Sequence, residues 1–408
     1  MPDVPMKKKT SIPKLILGNL LVTAVLLLLA ECGYRGSLNR KNETQGLPYH
    51  LTATSGAMLG HDPDFGYNYV PNHLSHSAIL KEGQVVRLYT NRVNSVGMTT
   101  REDTVDPTAA RRILVVGDSF TALTYSEGVW SDWMHDAMEA GGENVGIHNA
   151  GRDGYGVLQM VHAAAVLSGK QDFTDLVIAF ITDDLTRGRF WRYHVEHAAA
   201  PRVVTSTEAD PAKLSPPYVD TYLLDARVRP DWALGLIASP GASDGDGLVR
   251  ELIGQAQARR RDFFMLPRRT AGASVLWNQV AHGDPYHHLN QRGRNPRHRL
   301  ASFADDAQFR KDAAILRGKK IRMTLARIPD LSEWKDGKYR TDARTESLCQ
   351  SLAEALGQDI HELLPDLLRP GENAEDLFLV PHDNHPNVHG MRRIGGAIAD
   401  LLARPTPP

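Results

Sequence analysis

The chain has 408 residues, enough for two average domains or for one large domain with insertions. It is 42% hydrophobic and 23% charged with a formal net charge of −1, which excludes a whole-chain electrostatic case for nucleic acid. Cys32 and Cys349 are the only cysteines, and Cys32 falls at the end of an apolar run, which excludes a disulfide framework.

Lys7, Lys8, Lys9 and Lys14 precede that run, which extends from Leu15 to Ala30. Residues 1–10 read as a cytoplasmic tail and 11–30 as a transmembrane anchor. Counted from Ser11, a helix here spans about 30 Å, enough to cross a bilayer core if Lys14 snorkels. The lysines keep the tail inside, so everything after Ala30 is expected outside the cytoplasm. A cleaved signal peptide is the alternative, but Glu31 and Cys32 directly follow Ala30 and leave no small-x-small cleavage site.

Residues 31–60 are polar and read as a linker. Residues 61–110 read as a β-rich segment laid on the main domain. His61–Asn72 places turn residues around aromatics, Val85–Tyr89 alternates like a strand, and Asn91–Gly97 reads as a turn.

Ile113–Val116 is a short, mostly β-branched run typical of a buried parallel strand, and Gly117-Asp118-Ser119 breaks it. Val129–Met138 has helical spacing, stopped by Gly141-Gly142. Val145–His148 is a second strand, which runs into the glycine-rich stretch Asn149–Gly156. Leu158–Leu167 returns as a helix, and Asp175–Ile181 is a third strand ending at Thr182-Asp183-Asp184. This alternation predicts a parallel α/β sheet. From 187 to 300 the periodicity degrades. That stretch is basic, with an extended piece at Tyr218–Tyr222 and a helix at Leu248–Ala258, and reads as an inserted cap. The core resumes over 301–404, with a helix at Phe303–Leu316, a strand after Lys319, and a helix at Thr345–Leu356 that buries Cys349. A short amphipathic piece at Ile360–Leu368 and a last helix at Met391–Leu402 complete it.

Ser119 follows a strand, where open α/β sheets place their chemistry. A strand-to-helix turn also gathers free backbone N–H groups and the positive end of a helix dipole. A serine there serves either as a helix cap or as a nucleophile with oxyanion donors at hand. A hydroxyl needs an imidazole to take its proton, and the imidazole needs a carboxylate to orient it. His385 and Asp383, in the loop before the last helix, fit those two roles. His382, Asp383, His385 and His389 also lie within eight residues, but without an H-E-x-x-H pattern, so no metal and no cofactor is expected.

Four blocks occur in order: Val-Val-Gly-Asp-Ser-Phe, Asn-Ala-Gly-x-x-Gly-Tyr-Gly, Asp-Leu-Val-Ile-x-Phe ending in Asp183-Asp184, and Asp-x-His-Pro-Asn-x-x-Gly. Together they resemble the SGNH (GDSL-type) hydrolases over about 113–184 and 319–402. The leader and the phrase Asp64-Phe-Gly-Tyr67 resemble the membrane-anchored bacterial members. The resemblance implies a three-layer α/β/α flavodoxin-like fold and ester hydrolysis or acyl transfer. Ser119 would be the nucleophile, His385 the base and Asp383 its orienter. The Ser119 and Gly151 N–H groups would form two arms of the oxyanion hole. The family commonly has Asn-Asp where this chain has Asp183-Asp184, and that asparagine supplies the third donor. Here Asp183 in protonated form, the Thr182 hydroxyl, or backbone alone would have to serve.

The expected protein is thus an envelope esterase or deacetylase of the bacterial inner membrane. Its domain faces the periplasm or the exterior, and its substrate is an O-acylated glycan or lipid. The alternatives are an O-acyltransferase of an envelope polysaccharide and a non-catalytic glycan-binding module.

Overall fold

The computed structural model describes residues 12–44, 49–54, 59–62, 64–81, 84–122, 128–195, 202–206, 226–228, 275–282, 297–331, 334–335, 338–339, 342–369, 371–379 and 384–404. The first element is helix α1 (Ile12–Thr44). Its segment Ile16–Tyr34 is apolar and long enough to cross a bilayer, and no residue of it is fully buried. The helix continues past Ala30 into the stretch read as a linker, where β1 (Tyr49–Thr54) and the start of β2 (Leu59–Asp62) also lie.

β2 and β3 (Gly66–Tyr69) form a hairpin. β4 (Leu74–Lys81) and β5 (Gln84–Arg92) extend β1 into an antiparallel sheet, with β11 (Ala226–Val228) parallel to β1 on its far side.

The core is a parallel sheet of five strands. β6 (Arg111–Gly117) is flanked by β7 (Val145–Asn149) and β8 (Asp175–Phe180). β12 (Arg322–Arg327) and β15 (Ile360–Glu362) follow on the β8 side. Within the core the order is 2-1-3-4-5, a doubly wound order whose switch point lies beside the first strand, β6.

Both faces of the sheet are covered, which is why β6 and β8 read as unbroken apolar runs. Leu114, Val116, Leu176, Ile178 and Phe180 pack under α4 (Val157–Lys170), α6 (Ala307–Arg317) and α7 (Ala343–Leu356). Ile113, Val115, Val177 and Ala179 face the other way, against α3 (Trp130–Ala140) and α9 (Val388–Ala403). Gly395 permits the close α9–α3 crossing, since a Cβ there would lie 2.9 Å from the Met134 nitrogen. Cys349 is half-buried against the first of these layers.

The predicted amphipathic piece at 360–368 divides into β15 and the short helix α8 (Leu364–Leu367). The two-residue strands β13 (Trp334–Lys335) and β14 (Lys338–Tyr339) pair with each other. Of the inserted region, β9 (Trp191–Val195), its antiparallel partner β10 (Arg202–Ser206), β11 and helix α5 (Val275–His282) are described. The expected pieces at 218–222 and 248–258 lie outside the described residues. The region leaves and returns at one place, where Arg187 and Arg297 form an antiparallel bridge and the His298 N–H donates to the Thr186 carbonyl at 2.9 Å.

Candidate active site

Three loops and one turn converge at the carboxyl edge of the sheet. The turn after β6 carries Asp118 and then the short helix α2 (Ser119–Ala122). Gly117 is required there, because a Cβ would lie 2.7 Å from the Ala179 carbonyl and closer still to Thr121. Ser119 is 6% exposed, and among the described residues its N–H has no hydrogen-bond partner. As the first residue of a helix, it presents that free donor with the positive end of the peptide dipoles behind it.

His385 arrives from the loop before α9. Its Nε2 lies 2.8 Å from Ser119 Oγ, and its ring rests on Phe120 with centroids 4.8 Å apart. The loop is fixed on both sides of the imidazole. The Leu379 N–H donates to the His385 carbonyl, Phe378 and Pro386 form a bridge, and Asn387 caps α9 through the His389 and Gly390 N–H groups. Asn387 also donates through Nδ2 to the Asp376 and Phe378 carbonyls, so it ties the loop as well as the helix. Asp383 and His382 lie outside the described residues.

The Ser119 hydroxyl has a second neighbour, Asp118 Oδ2, at 3.4 Å. The 2.8 Å contact to His385 is the one of normal hydrogen-bond length. With the ring proton on Nδ1, Ser119 donates to Nε2, the geometry of a serine whose proton is ready to leave.

Asp118 is fully buried and accepts from the Phe120 N–H at 2.8 Å and from Arg187 Nη1 at 3.1 Å. The same Nη1 lies 2.6 Å from Asp184 Oδ1, angled as an ion contact and not as a hydrogen bond. Arg187 also contacts Asp183 Oδ2 at 2.9 Å and donates to the Tyr155 carbonyl. Burial pushes the Asp118 carboxyl above its ordinary range, against the pull of Arg187. Burial, and then the charge of Asp118, push Asp184 further up. Burial opposes the Arg187 charge, but Asp184, Asp118 and Asp183 together hold its pKa above the ordinary value. Two buried carboxylates thus compete for one guanidinium.

Asp183 behaves differently from the protonated donor considered above. Burial raises its pKa, but Arg297 and Arg187 outweigh burial and hold it below the usual carboxylate range. Arg297 contacts its Oδ1 at 2.7 Å and its Oδ2 at 2.9 Å. The Thr182 hydroxyl accepts from Arg327 Nε at 2.9 Å and from Nη2, which leaves its own proton to donate.

Gly151, expected as a free oxyanion donor, has its N–H bonded to Asn149 Oδ1 at 2.9 Å. Asn149 is fully buried, and its Nδ2 donates to the Thr121 carbonyl and to Ser131 Oγ. It therefore locks the glycine-rich loop to α2 and α3. Arg152 adds a second lock: its N–H donates to the Gly117 carbonyl, its Nη1 donates to the Gly151 carbonyl, and its guanidinium lies 5.3 Å from the Tyr69 ring. The β2–β3 hairpin braces the same loop through Tyr67 Oη to the Asp153 carbonyl at 2.5 Å and Tyr155 Oη to the Phe65 carbonyl at 2.9 Å. Asn149 stood in a quoted motif without a role, and nothing local in the sequence marked Arg152 or Arg187.

Among the described residues, His135, Asp136 and Glu139 on α3 come within reach of a shared ion, but Arg101 donates to both Asp136 oxygens.

No family model and no curated protein matches the chain. Among solved structures it is similar to the psychrotrophic esterase EstA from Pseudoalteromonas sp., inhibited by monoethylphosphonate, at 11% identity and a TM-score of 0.31, covering 72% of this chain and 100% of that one. It is also similar to the lipase/acylhydrolase from Enterococcus faecalis, at 15% identity and a TM-score of 0.31, covering 73% and 100%. Both likenesses are too remote to assign this chain to a family.

Proposed function

We propose that the chain is a serine esterase or deacetylase, anchored by α1 in the bacterial inner membrane and acting outside the cytoplasm on an O-acylated envelope glycan or lipid. The observation that carries this reading is the 2.8 Å approach of His385 Nε2 to Ser119 Oγ at the switch point of the sheet, beside the free Ser119 N–H. Ser119 Oγ attacks the ester carbonyl carbon while His385 takes the hydroxyl proton, and Asp383 orients His385. The Ser119 N–H and the Thr182 hydroxyl receive the oxyanion. Collapse breaks the bond to the alkoxy oxygen, and His385 returns the proton to the leaving alcohol. Water, deprotonated by His385, then releases the acyl group as a carboxylic acid. A sugar hydroxyl in place of water makes the same site an O-acyltransferase. The binding-module reading rested on an uncompensated Asp183, and the two arginines on that carboxylate weaken it.

The test is fluorophosphonate labelling of the full chain in detergent. Labelling at Ser119 that Ser119→Ala abolishes supports the nucleophile. Its absence from about pH 6 to about pH 9, where an imidazole base works, returns the binding module.

A further inference from the structure

Helix α5 docks on the outer end of α1. Glu31 Oε2 accepts the Leu276 N–H at 2.9 Å, and the Tyr34 hydroxyl donates to Gln279 Oε1 at 3.1 Å. Leu276 and Gln279 are three residues apart and share the face toward α1. Trp277 and Val280 are likewise three apart, on a neighbouring face, and are 65% and 72% exposed. Two large, exposed apolar side chains in one such ridge suit contact with an apolar surface.

The position of α5 along α1 says what that surface is. Glu31 is the first charged residue after Lys14, so it marks where the apolar run stops. With α1 across a bilayer, Glu31 and Tyr34 lie at the depth of the head groups, and α5 is bonded to both. Trp277 then sits in the zone where tryptophan and tyrosine collect at membrane surfaces. The sequence around α5 is basic, with Arg268 and Arg269 before it and Arg292 and Arg294 after it, as suits an anionic head-group surface.

We infer that α5 is an interfacial foot: its Trp277–Val280 ridge lies against the lipid head-group zone and fixes the inserted region to the membrane at the exit of α1. This rests on the anchoring of α1 proposed above. The foot fixes the height of the insert, which joins the core at the Arg187–Arg297 bridge next to the active-site carboxylates, and so it sets how far the site stands from the bilayer.

The test uses the full chain in nanodiscs containing phosphatidylglycerol, with and without lipids brominated near the head group. The fluorescence lost in Trp277→Phe is the Trp277 signal. It is expected to emit at shorter wavelength and to fall by about half with the brominated lipid, as for a residue at the interface. A Trp277 signal reached by aqueous iodide and untouched by bromine overturns the inference. So does one shielded from both, which would mean a protein partner or a second copy on the ridge. A spin label at Val280→Cys, with Cys32 and Cys349 replaced by Ser, gives a second depth measurement: greater access to oxygen than to a nickel chelate supports the foot, and the reverse overturns it. Failure of the chain to stay with the nanodiscs sinks the anchor itself, and loss of Ser119 labelling sinks only the esterase reading.

Discussion

Arg187 Nη1 lies 3.1 Å from Asp118 Oδ2, so a guanidinium from just past the neighbouring strand β8 is bonded to the residue next to Ser119. The same guanidinium touches Asp184 and Asp183, and its side chain is 11% exposed. It is the only cation contacting the two fully buried carboxylates among the described residues. Removing one member of a buried ion pair strands the other, at a cost of about 3–5 kcal/mol. Arg187→Met is therefore expected to lower the melting temperature sharply and to abolish Ser119 labelling. Arg187→Lys, which keeps charge but not the fork, should recover part of the stability. An unchanged melting curve for Arg187→Met would show that the network contributes nothing.

The same contacts set the margins of the insert. Arg189 pairs with Asp306, and the Phe190 carbonyl accepts from Gln159 Nε2 at 2.8 Å, so both belong to the core despite lying past residue 186. A chain lacking 196–296, closed by a flexible linker, is expected to stay soluble in detergent and to label at Ser119 with altered acyl selectivity. A chain lacking 187–300 also loses Arg187 and Arg297 and is expected to precipitate. Solubility and labelling of the two deletions decide it, and equal behaviour would refute the boundary.

The sequence resolved what local pattern controls. The β6 and β8 runs stood out because burial on both faces demands unbroken apolar residues, and Gly117 and Gly141 marked the ends of β6 and α3. β15 was hidden because its pairing lies at the sheet edge and two of its three residues, His361 and Glu362, are exposed, leaving no apolar signature. Ser119 and His385 were legible through motif, although 266 positions separate them. Arg187 was not, since a charged residue at the start of a basic region looks like solvated surface until the fold turns it onto Asp118. Gly151 misled because a glycine at a strand end gives no sign that Asn149, two residues earlier, takes its N–H.

Asp132 offers a test of stability against pH. It lies buried on α3, and burial pushes its pKa up to about 6, against the Arg101 N–H bond and charge and with help from Asp136 and Asp103. A carboxyl raised in the folded state contributes stability that is fully present below its unfolded value. That contribution is lost as pH rises through the folded value. Asp132→Asn does not titrate and can still accept from the Arg101 N–H. Its stability relative to wild type should therefore climb between about pH 4 and about pH 7, by up to about 3 kcal/mol. Urea unfolding of both proteins at the two ends of that range measures it, and a pH-independent difference would remove Asp132 from the titrating set.

Asp183 is where the structure reverses an expectation. An ionised carboxylate beside an oxyanion repels it, so from sequence Asp183→Asn should raise hydrolysis at about pH 8 by at least about tenfold, and less in acid, where protonation would already make the residue a donor. The structure gives the carboxylate two guanidinium partners, Arg187 and Arg297, which hold its pKa below the ordinary range and offset its charge. Acid therefore does not turn it into a donor at working pH, and replacing it relieves little repulsion. Asp183→Asn is now expected to change hydrolysis by less than about threefold, with no added pH dependence. Its half-exposed ion pairs are worth about 0–1 kcal/mol each, so the melting temperature should fall only slightly. The proposed mechanism therefore assigns the side-chain donor to Thr182. Its oxygen already accepts from Arg327, so its own proton is left to donate. Thr182→Val should lower kcat by about 10²-fold with little change in KM, the cost of one oxyanion donor, and Thr182→Ser should restore it. A tenfold gain from Asp183→Asn at about pH 8, with Thr182→Val indistinguishable from wild type, would put Asp183 back in the oxyanion hole.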